Sequence, residues 1–256
     1  MKLVNKIIQI YSRTGNKRHC NICKRSFNQF LKYKGGTKKM ANRSFWQSLD
    51  MVGSDIDNFG CPYCWSHDRE RHLFMFFDRL QLWNKIEKGA VLHFAPETHV
   101  AAKIQSLLPS QYVKADLFPT TDDIRAIDAT HIPFEENWFD MVICNHVLEH
   151  IPSYEQALAE IYRVLKPNGI AILQTPYSKL LEHNFEDQNV NTNESRLAIF
   201  GQEDHVRIFS EKRFFASIQE AGFKLTPVLS SQYFDQKSAI YYGFNRKEDL
   251  IYAVKQ

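Results

Sequence analysis

The stretch Asp128–Pro176, DATHIPFEENWFDMVICNHVLEHIPSYEQALAEIYRVLKPNGIAILQTP, constrains the fold more than any other part of this chain. It reads as a loop closing on an acidic residue, a buried strand over 140–144 and a polar strand end at Asn145 and His146, then an amphipathic helix over about 154–165, a Pro-Asn-Gly turn and a second buried strand. That order is half of a doubly wound α/β sheet, in which ligands sit beyond the carboxyl ends of the strands.

At 256 residues, 44% hydrophobic and 24% charged, the chain can bury one full domain with room for a small module. No internal repeat is visible. No apolar run is long enough to span a bilayer, and the start MKLVNKIIQIYSRTG lacks the continuous apolar stretch of a secretory signal, so a soluble cytoplasmic protein is expected. Charge is unevenly divided. Residues 1–45 hold twelve Lys or Arg and no acid; residues 1–90 are net +10 and the remaining 166 net −7. A basic end of this kind suits a polyanion such as RNA, an anionic lipid surface or an acidic glycan, or is a solvated lysine-rich face.

Four of the five cysteines form two Cys-x2-Cys pairs, Cys20/Cys23 and Cys61/Cys64, separated by 37 residues. Each pair presents two thiolates from a tight turn, and four thiolates suit a closed, structural zinc ion in a reducing compartment; a redox pair is the alternative. Cys144, inside an apolar strand, reads as core. The linker between the pairs reads as a ribbon turning at Gly35-Gly36. A helix should follow the second pair as far as about Glu87, with Leu73, Phe76, Phe77, Leu80 and Leu82 on its apolar face. His67 and His72 are alternative metal ligands. Arg69 and Arg71 are expected to reach substrate, to clamp the module onto the rest of the chain, or to pair with Asp68 and Glu70. A tail helix over 2–11 is expected to dock on the protein rather than make peripheral membrane contact.

The wording FD-hydrophobic-NHVLEHI at 139–151 resembles class I S-adenosylmethionine-dependent methyltransferases of the type 11-like kind. CPYC-x4-RERHL at 61–73 and FGQEDHVR at 200–207 resemble a bacterial branch whose methyltransferase domain follows a rubredoxin-like zinc knuckle. The resemblance implies a Rossmann-like seven-stranded sheet with a small N-terminal zinc-ribbon module. It also implies S-adenosylmethionine as cofactor and zinc on Cys20, Cys23, Cys61 and Cys64. The divisions expected are a basic helix at 1–19, the zinc ribbon at 20–72 and the methyltransferase domain at 73–256, with a lid at about 177–209.

By the same resemblance the first strand and its turn run from Ala90 to Glu97, followed by a helix to about 108. The family places a glycine-rich acidic turn here, whereas this chain has His93-Phe94-Ala95-Pro96-Glu97. Either Pro96 builds the turn, with Glu97 at the helix start receiving the cofactor's ammonium, or the site has lost its cofactor. Asp116, ending the second strand before Leu117, is the expected ribose ligand. Asp128, with the Ala129 backbone N–H, is the expected adenine ligand. Each Asp also reads as a turn cap. Asn145 and His146 should lie at the transferable methyl, His146 and His205 being the candidate bases; Glu149 is a lesser candidate, and His150 reads as closing the turn.

The polar insertion after the fifth strand carries Tyr177, Gln202, Asp204, His205 and Arg207 as expected acceptor contacts, with Asp204 and Arg207 alternatively tying the loop down. A capped helix from Ser210 to Ala221 and antiparallel strands near 223–229 and 250–254 complete the expected sheet. Tyr233, Phe234, Tyr241, Tyr242 and Phe244 either cover the pocket or pack in the core. The expected activity is methyl transfer to an oxygen or nitrogen of a small molecule or glycan. RNA methylation through the basic zinc module and a noncatalytic adaptor are the alternatives; a nicotinamide dehydrogenase would need the glycine turn even more.

Overall fold

A computed structural model describes residues 11–40 and 42–256. The expected tail helix over 2–11 therefore lies, except for Tyr11, outside the described residues. The apolar runs at Ala90–Phe94 (β1) and Phe139–Cys144 (β4) are buried nearly throughout, as central strands of a sheet covered on both faces must be. Around them stand Gln111–Asp116 (β2), Arg125–Ala126 (β3), Leu165–Ile172 (β5), Phe223–Leu225 (β6) and Tyr252–Lys255 (β7). The order is β6-β7-β5-β4-β1-β2-β3, and only β7 runs antiparallel, against both β5 and β6. This is the expected α/β architecture. The chain reverses its direction of travel across the sheet between β1 and β4, which opens a crevice at their carboxyl ends.

Alternate residues of β1 and β4 feed two cores. Leu92, Phe94, Val142 and Cys144 pack on the side of the helices Tyr154–Val164 and Glu211–Glu220. Val91, Met141 and Ile143 pack on the side of Asp68–Arg79 and Thr98–Ser106.

Several expected elements are corrected. The helix predicted to reach Glu87 ends at Arg79 and restarts as Leu82–Ile86, because Gln81 takes a left-handed φ of 55°. That break buries Leu82 and Trp83 and lets the Trp83 indole donate to Asp78 at 2.7 Å. The linker is not a ribbon. Gly35 and Gly36 do turn, at φ 94° and 74°, but 3-10 turns at Tyr33–Gly35 and Thr37–Lys39 and a helix at Arg43–Ser48 surround them. The paired residues are elsewhere: Met51–Val52 joins Tyr177–Ser178 and Phe209–Ser210 in a three-stranded sheet, tying the linker to the 177–208 insertion. Inside that junction Trp46, Phe200 and Ile208 form a small core. Gly201 sits there at φ 85°, and a Cβ on it would come within 3.0 Å of the Trp46 ring.

The four cysteines converge, with Sγ separations of 3.7 Å for Cys20–Cys64 and 3.8 Å for Cys23–Cys61. His67 and His72 take no part among them. His67 stacks on Phe59, and His72 is buried against Phe244 with Nε2 3.1 Å from the Ser230 hydroxyl.

Arg71 joins the two halves. Fully buried, it rests on the Phe30 ring and sends all five guanidinium N–H groups to backbone carbonyls: Nε to Tyr242, Nη1 to Phe59 and Ser66, Nη2 to Asn58 and Gly243. The expected pairing of the arginines with Asp68 and Glu70 is thereby corrected. Asp68 accepts from the Asp55 N–H, and Glu70 from the His67 N–H and from His99. An ammonium offers three donors where the guanidinium offers five, leaving at least two carbonyls unpaired. Arg71→Lys should therefore lower unfolding free energy by about 3 kcal/mol or more, read as an earlier midpoint in urea unfolding followed by circular dichroism; an unchanged midpoint would contradict this account.

Candidate active site

Two cavities flank the carboxyl ends of β1 and β4. The first, of about 680 Å3, is lined by Phe94 and Ala95, by Asp116, Leu117 and Phe118 after β2, by Asp128, Ala129 and Thr130 after β3, and by His146, Val147, the 150–153 segment and Asp204. Both expected acids cap their turns with one oxygen. Asp116 Oδ1 accepts from the Phe118 N–H at 2.9 Å, and Asp128 Oδ1 from the Thr130 N–H and hydroxyl at 2.8 Å each. Capping and ligand binding are compatible, since each carboxylate keeps Oδ2 without a partner among the described residues. Leu117 and Phe118 are largely exposed at the rim. Phe118 was missed from sequence, because an aromatic after a strand carries no signal of which cavity it borders.

The glycine-poor turn still makes its bend. Ala95 adopts φ 43°, the left-handed conformation that glycine favours, and its N–H donates to the Ala115 carbonyl at 2.8 Å. Glu97 stands at the cap position of the helix Thr98–Ser106 but does not point into the cavity. Its Oε2 lies 2.9 Å from His93 Nε2 and its Oε1 accepts from the Asn145 amide at 2.8 Å. Burial works against this carboxylate, yet the His93 hydrogen bond and the charges of His93 and Arg69 bring its pKa down to about 2. His93 is itself fully buried, with Nδ1 2.9 Å from the Tyr112 hydroxyl. Of the ten residues expected at the cofactor, Phe94, Ala95, Asp116, Leu117, Asp128, Ala129 and His146 share one cavity, whereas His93, Glu97 and Asn145 form a hydrogen-bonded set behind it.

The second cavity, of about 500 Å3, lies between the linker and the insertion. Trp46, Asp50, Val52 and Gly53 line it from the linker, Arg69 from the helix after the second cysteine pair, and Phe200, Gln202, His205 and Arg207 from the insertion. His146 lines both cavities. Two residues past β4 it adopts φ 53°, a left-handed conformation costly for a residue with a Cβ and retained where the surroundings over-determine it. Its Nδ1 is 3.4 Å from Glu149 Oε1. Glu149 is buried, accepts from the Thr175 hydroxyl at 2.9 Å, and is held to a pKa of about 2 against the effect of burial by His146 and the nearby His150 and His205. His205 is buried, its Nδ1 3.2 Å from the Phe200 carbonyl and its Nε2 3.9 Å from Glu149 Oε1, beyond a hydrogen bond.

The expected acceptor set is only partly together. Gln202, His205 and Arg207 border the second cavity, but Arg207 is committed to the carbonyls of Leu148, Ile151 and Pro152 and to Glu186 at 2.6 Å, so it ties the loop down. Asp204 instead borders the first cavity, beside His150, whose Nδ1 is 3.4 Å from its carboxylate. Tyr177 borders neither; it is fully buried in the core because its two-residue strand sits mid-sheet between Met51–Val52 and Phe209–Ser210. Trp46 and Asp50, on the linker, were missed because only the three-stranded sheet brings them here.

Residues 93–173 match the methyltransferase domain family. An uncharacterized protein of Methanocaldococcus jannaschii is 32% identical over 99 residues, 38% of this chain and 42% of that protein. A demethylmenaquinone methyltransferase of Lactobacillus johnsonii is 47% identical over 49 residues, 19% of this chain and 20% of that enzyme. The chain thus spans less than half the length of these relatives. The solved structure of an S-adenosylmethionine dependent methyltransferase from Mesorhizobium loti covers 71% of this chain and 98% of its own, with a TM-score of 0.51 at 11% identity, a likeness of fold. Strand order, crevice and matched segment agree: residues 93–173 match the methyltransferase domain family and lie within a seven-stranded fold like that of the Mesorhizobium loti structure.

Proposed function

We propose that this chain transfers the methyl group of S-adenosylmethionine to an oxygen or nitrogen of an acceptor lodged between the linker and the insertion. The observation that carries the reading is that His146 belongs to the walls of both cavities, one bearing two strand-end carboxylates with a free oxygen each, the other bearing a second histidine. Asp116 would hold the ribose hydroxyls and Asp128 with Ala129 the adenine edge. A sulfonium methyl is already activated, so transfer requires chiefly in-line placement of the acceptor and removal of its proton. His205 is suited to the second task. A carbonyl only accepts, so the contact with Phe200 places the proton of the neutral ring on Nδ1 and leaves the Nε2 lone pair free, 3.9 Å from Glu149 Oε1 in the wall of the second cavity. Burial lowers the pKa of His205 below the ordinary imidazole value, keeping it neutral.

The cavity's size and its mixture of Trp46 and Phe200 with Asp50, Gln202 and Lys247 favour a small polar molecule or one unit of a glycan over an RNA duplex. Cys20, Cys23, Cys61 and Cys64 would hold zinc. Sulfur separations of 3.7 and 3.8 Å fit the edge of a tetrahedron built on Zn–S bonds of about 2.3 Å. The ion would be structural, in a module ending near residue 72, with the catalytic domain continuing from 73. Cysteines spaced as metal ligands suit a reducing, cytoplasmic location. No helix among the described residues is long and apolar enough to cross a membrane.

Calorimetry with S-adenosylhomocysteine should give one site per chain and Asp116→Ala should abolish its heat; a chain silent to this ligand would overturn the methyltransferase reading, and comparing methylated metabolites and RNA in cells with and without the chain would name the acceptor. His205→Gln should lower turnover about 10²–10⁴-fold with product affinity unchanged, and the acid limb of the wild-type rate should fall below pH 6.5, because a depressed imidazole charges only at lower pH. Elemental analysis should find one zinc per chain, lost together with thermal stability in Cys64→Ser; full stability without metal would exclude a structural zinc site.

A further inference from the structure

Beyond Asn145, four buried polar atoms without a protein partner line one small void: Arg69 Nε, Asn145 Oδ1, His146 Nε2 and Glu248 Oε1. The void measures about 10 Å3, the space of one water or one ammonium. Arg69 and His146 also line the acceptor cavity, and His146 lines the nucleoside cavity as well, so all three spaces meet at this residue. Glu248 is 2% exposed. Its Oε2 lies 3.6 Å from His72 Nδ1, and its Oε1 is 3.8 Å from His146 Nε2, beyond a hydrogen bond. Burial opposes its charge, but the His72 contact and the charge of Arg69 help hold it ionised. Arg69 makes no hydrogen bond or ion pair among the described residues, although Arg71 two positions on makes five. Buried polar groups left in this state are costly unless something else satisfies them. Glu97, the acid expected to receive the donor's ammonium, is already occupied by His93 and Asn145.

We infer that Glu248, Asn145, His146 and Arg69 seat the α-amino-acid end of the methyl donor, the first three accepting its ammonium and Arg69 donating to its carboxylate. The inference rests on the methyltransferase reading. An ammonium has three N–H donors, and the void offers three acceptors; a carboxylate matches the planar fork of a guanidinium. Backbone approach at a glycine turn is thus replaced here by side chains, one of them supplied by the helix that springs from the second cysteine pair. A resident water would use the same atoms in the free protein and be displaced by the ammonium.

The test compares S-adenosylhomocysteine with 5′-methylthioadenosine, the same nucleoside thioether without the amino-acid end, by calorimetry on the full, zinc-loaded chain. Wild type should bind the former at least tenfold more tightly. Arg69→Gln and Glu248→Gln should each reduce affinity for S-adenosylhomocysteine tenfold or more and change that for methylthioadenosine less than twofold. Arg69 is partly exposed and unpartnered, so its variant keeps the fold, and circular dichroism and zinc content verify this for both. Equal wild-type affinity for the two ligands, parallel weakening of both in the variants, or unchanged S-adenosylhomocysteine affinity would each overturn the assignment. Failure of wild type to bind either ligand would instead remove the methyltransferase reading on which it stands.

Discussion

One buried guanidinium holds the molecule's two halves in a single arrangement. The carbonyls around Arg71 come from the loop before the second cysteine pair, from the pair's own turn, and from the chain end of the helix Gln236–Tyr242 far along the sequence. A desolvated cation is tolerable only when each donor is met, and here each is. Three carbonyl-bearing segments are thereby fixed in relation to the helix Asp68–Arg79, which packs on the sheet through Leu73, Phe76 and Phe77. The cysteine cluster lies at one end of this arrangement and β1 at the other, with Glu70 reaching His99 in the helix that follows the cofactor turn, at 3.0 Å.

The two cavities are assembled along the same seam. The sheet contributes strand ends, the linker one wall through Met51–Val52, and the insertion the other through Phe200–Arg207. His146 occupies the point where they meet, and Glu149 beneath it lies 3.4 Å from His146 and 3.9 Å from His205. The insertion is not a detached flap. Hydrogen bonds of the three-stranded sheet and the Trp46 contact at Gly201 anchor both of its ends to neighbouring structure.

Where the fold was legible in the sequence, burial made it so. β1 and β4 are shielded on both faces, so they are written as unbroken apolar runs, and the helix Tyr154–Val164 shows its apolar stripe for the same reason. The places of Asp116 and Asp128 could be read because the end of a parallel strand is a fixed place in this architecture. The break at Gln81 was hidden, since glutamine is a good helix former and only the burial of Trp83 demands the left-handed residue. Glu97 was misjudged in direction rather than place: its position at the helix start was correct, but a buried histidine four residues earlier, at 2.9 Å, claims the carboxylate. Glu248 had no local signal at all. Its importance arises from convergence with Arg69 and His146, residues far from it in the chain, and no short-range pattern reports such convergence.

The three-stranded sheet has an evolutionary corollary. Because a stretch of the cysteine-bearing half forms one wall of the second cavity while the strand-end carboxylates belong wholly to the other half, substitutions between residues 42 and 56 can reshape the second cavity without touching the carboxylates of the first. On the proposed reading, such substitutions would change which acceptor fits and leave the donor side unaltered.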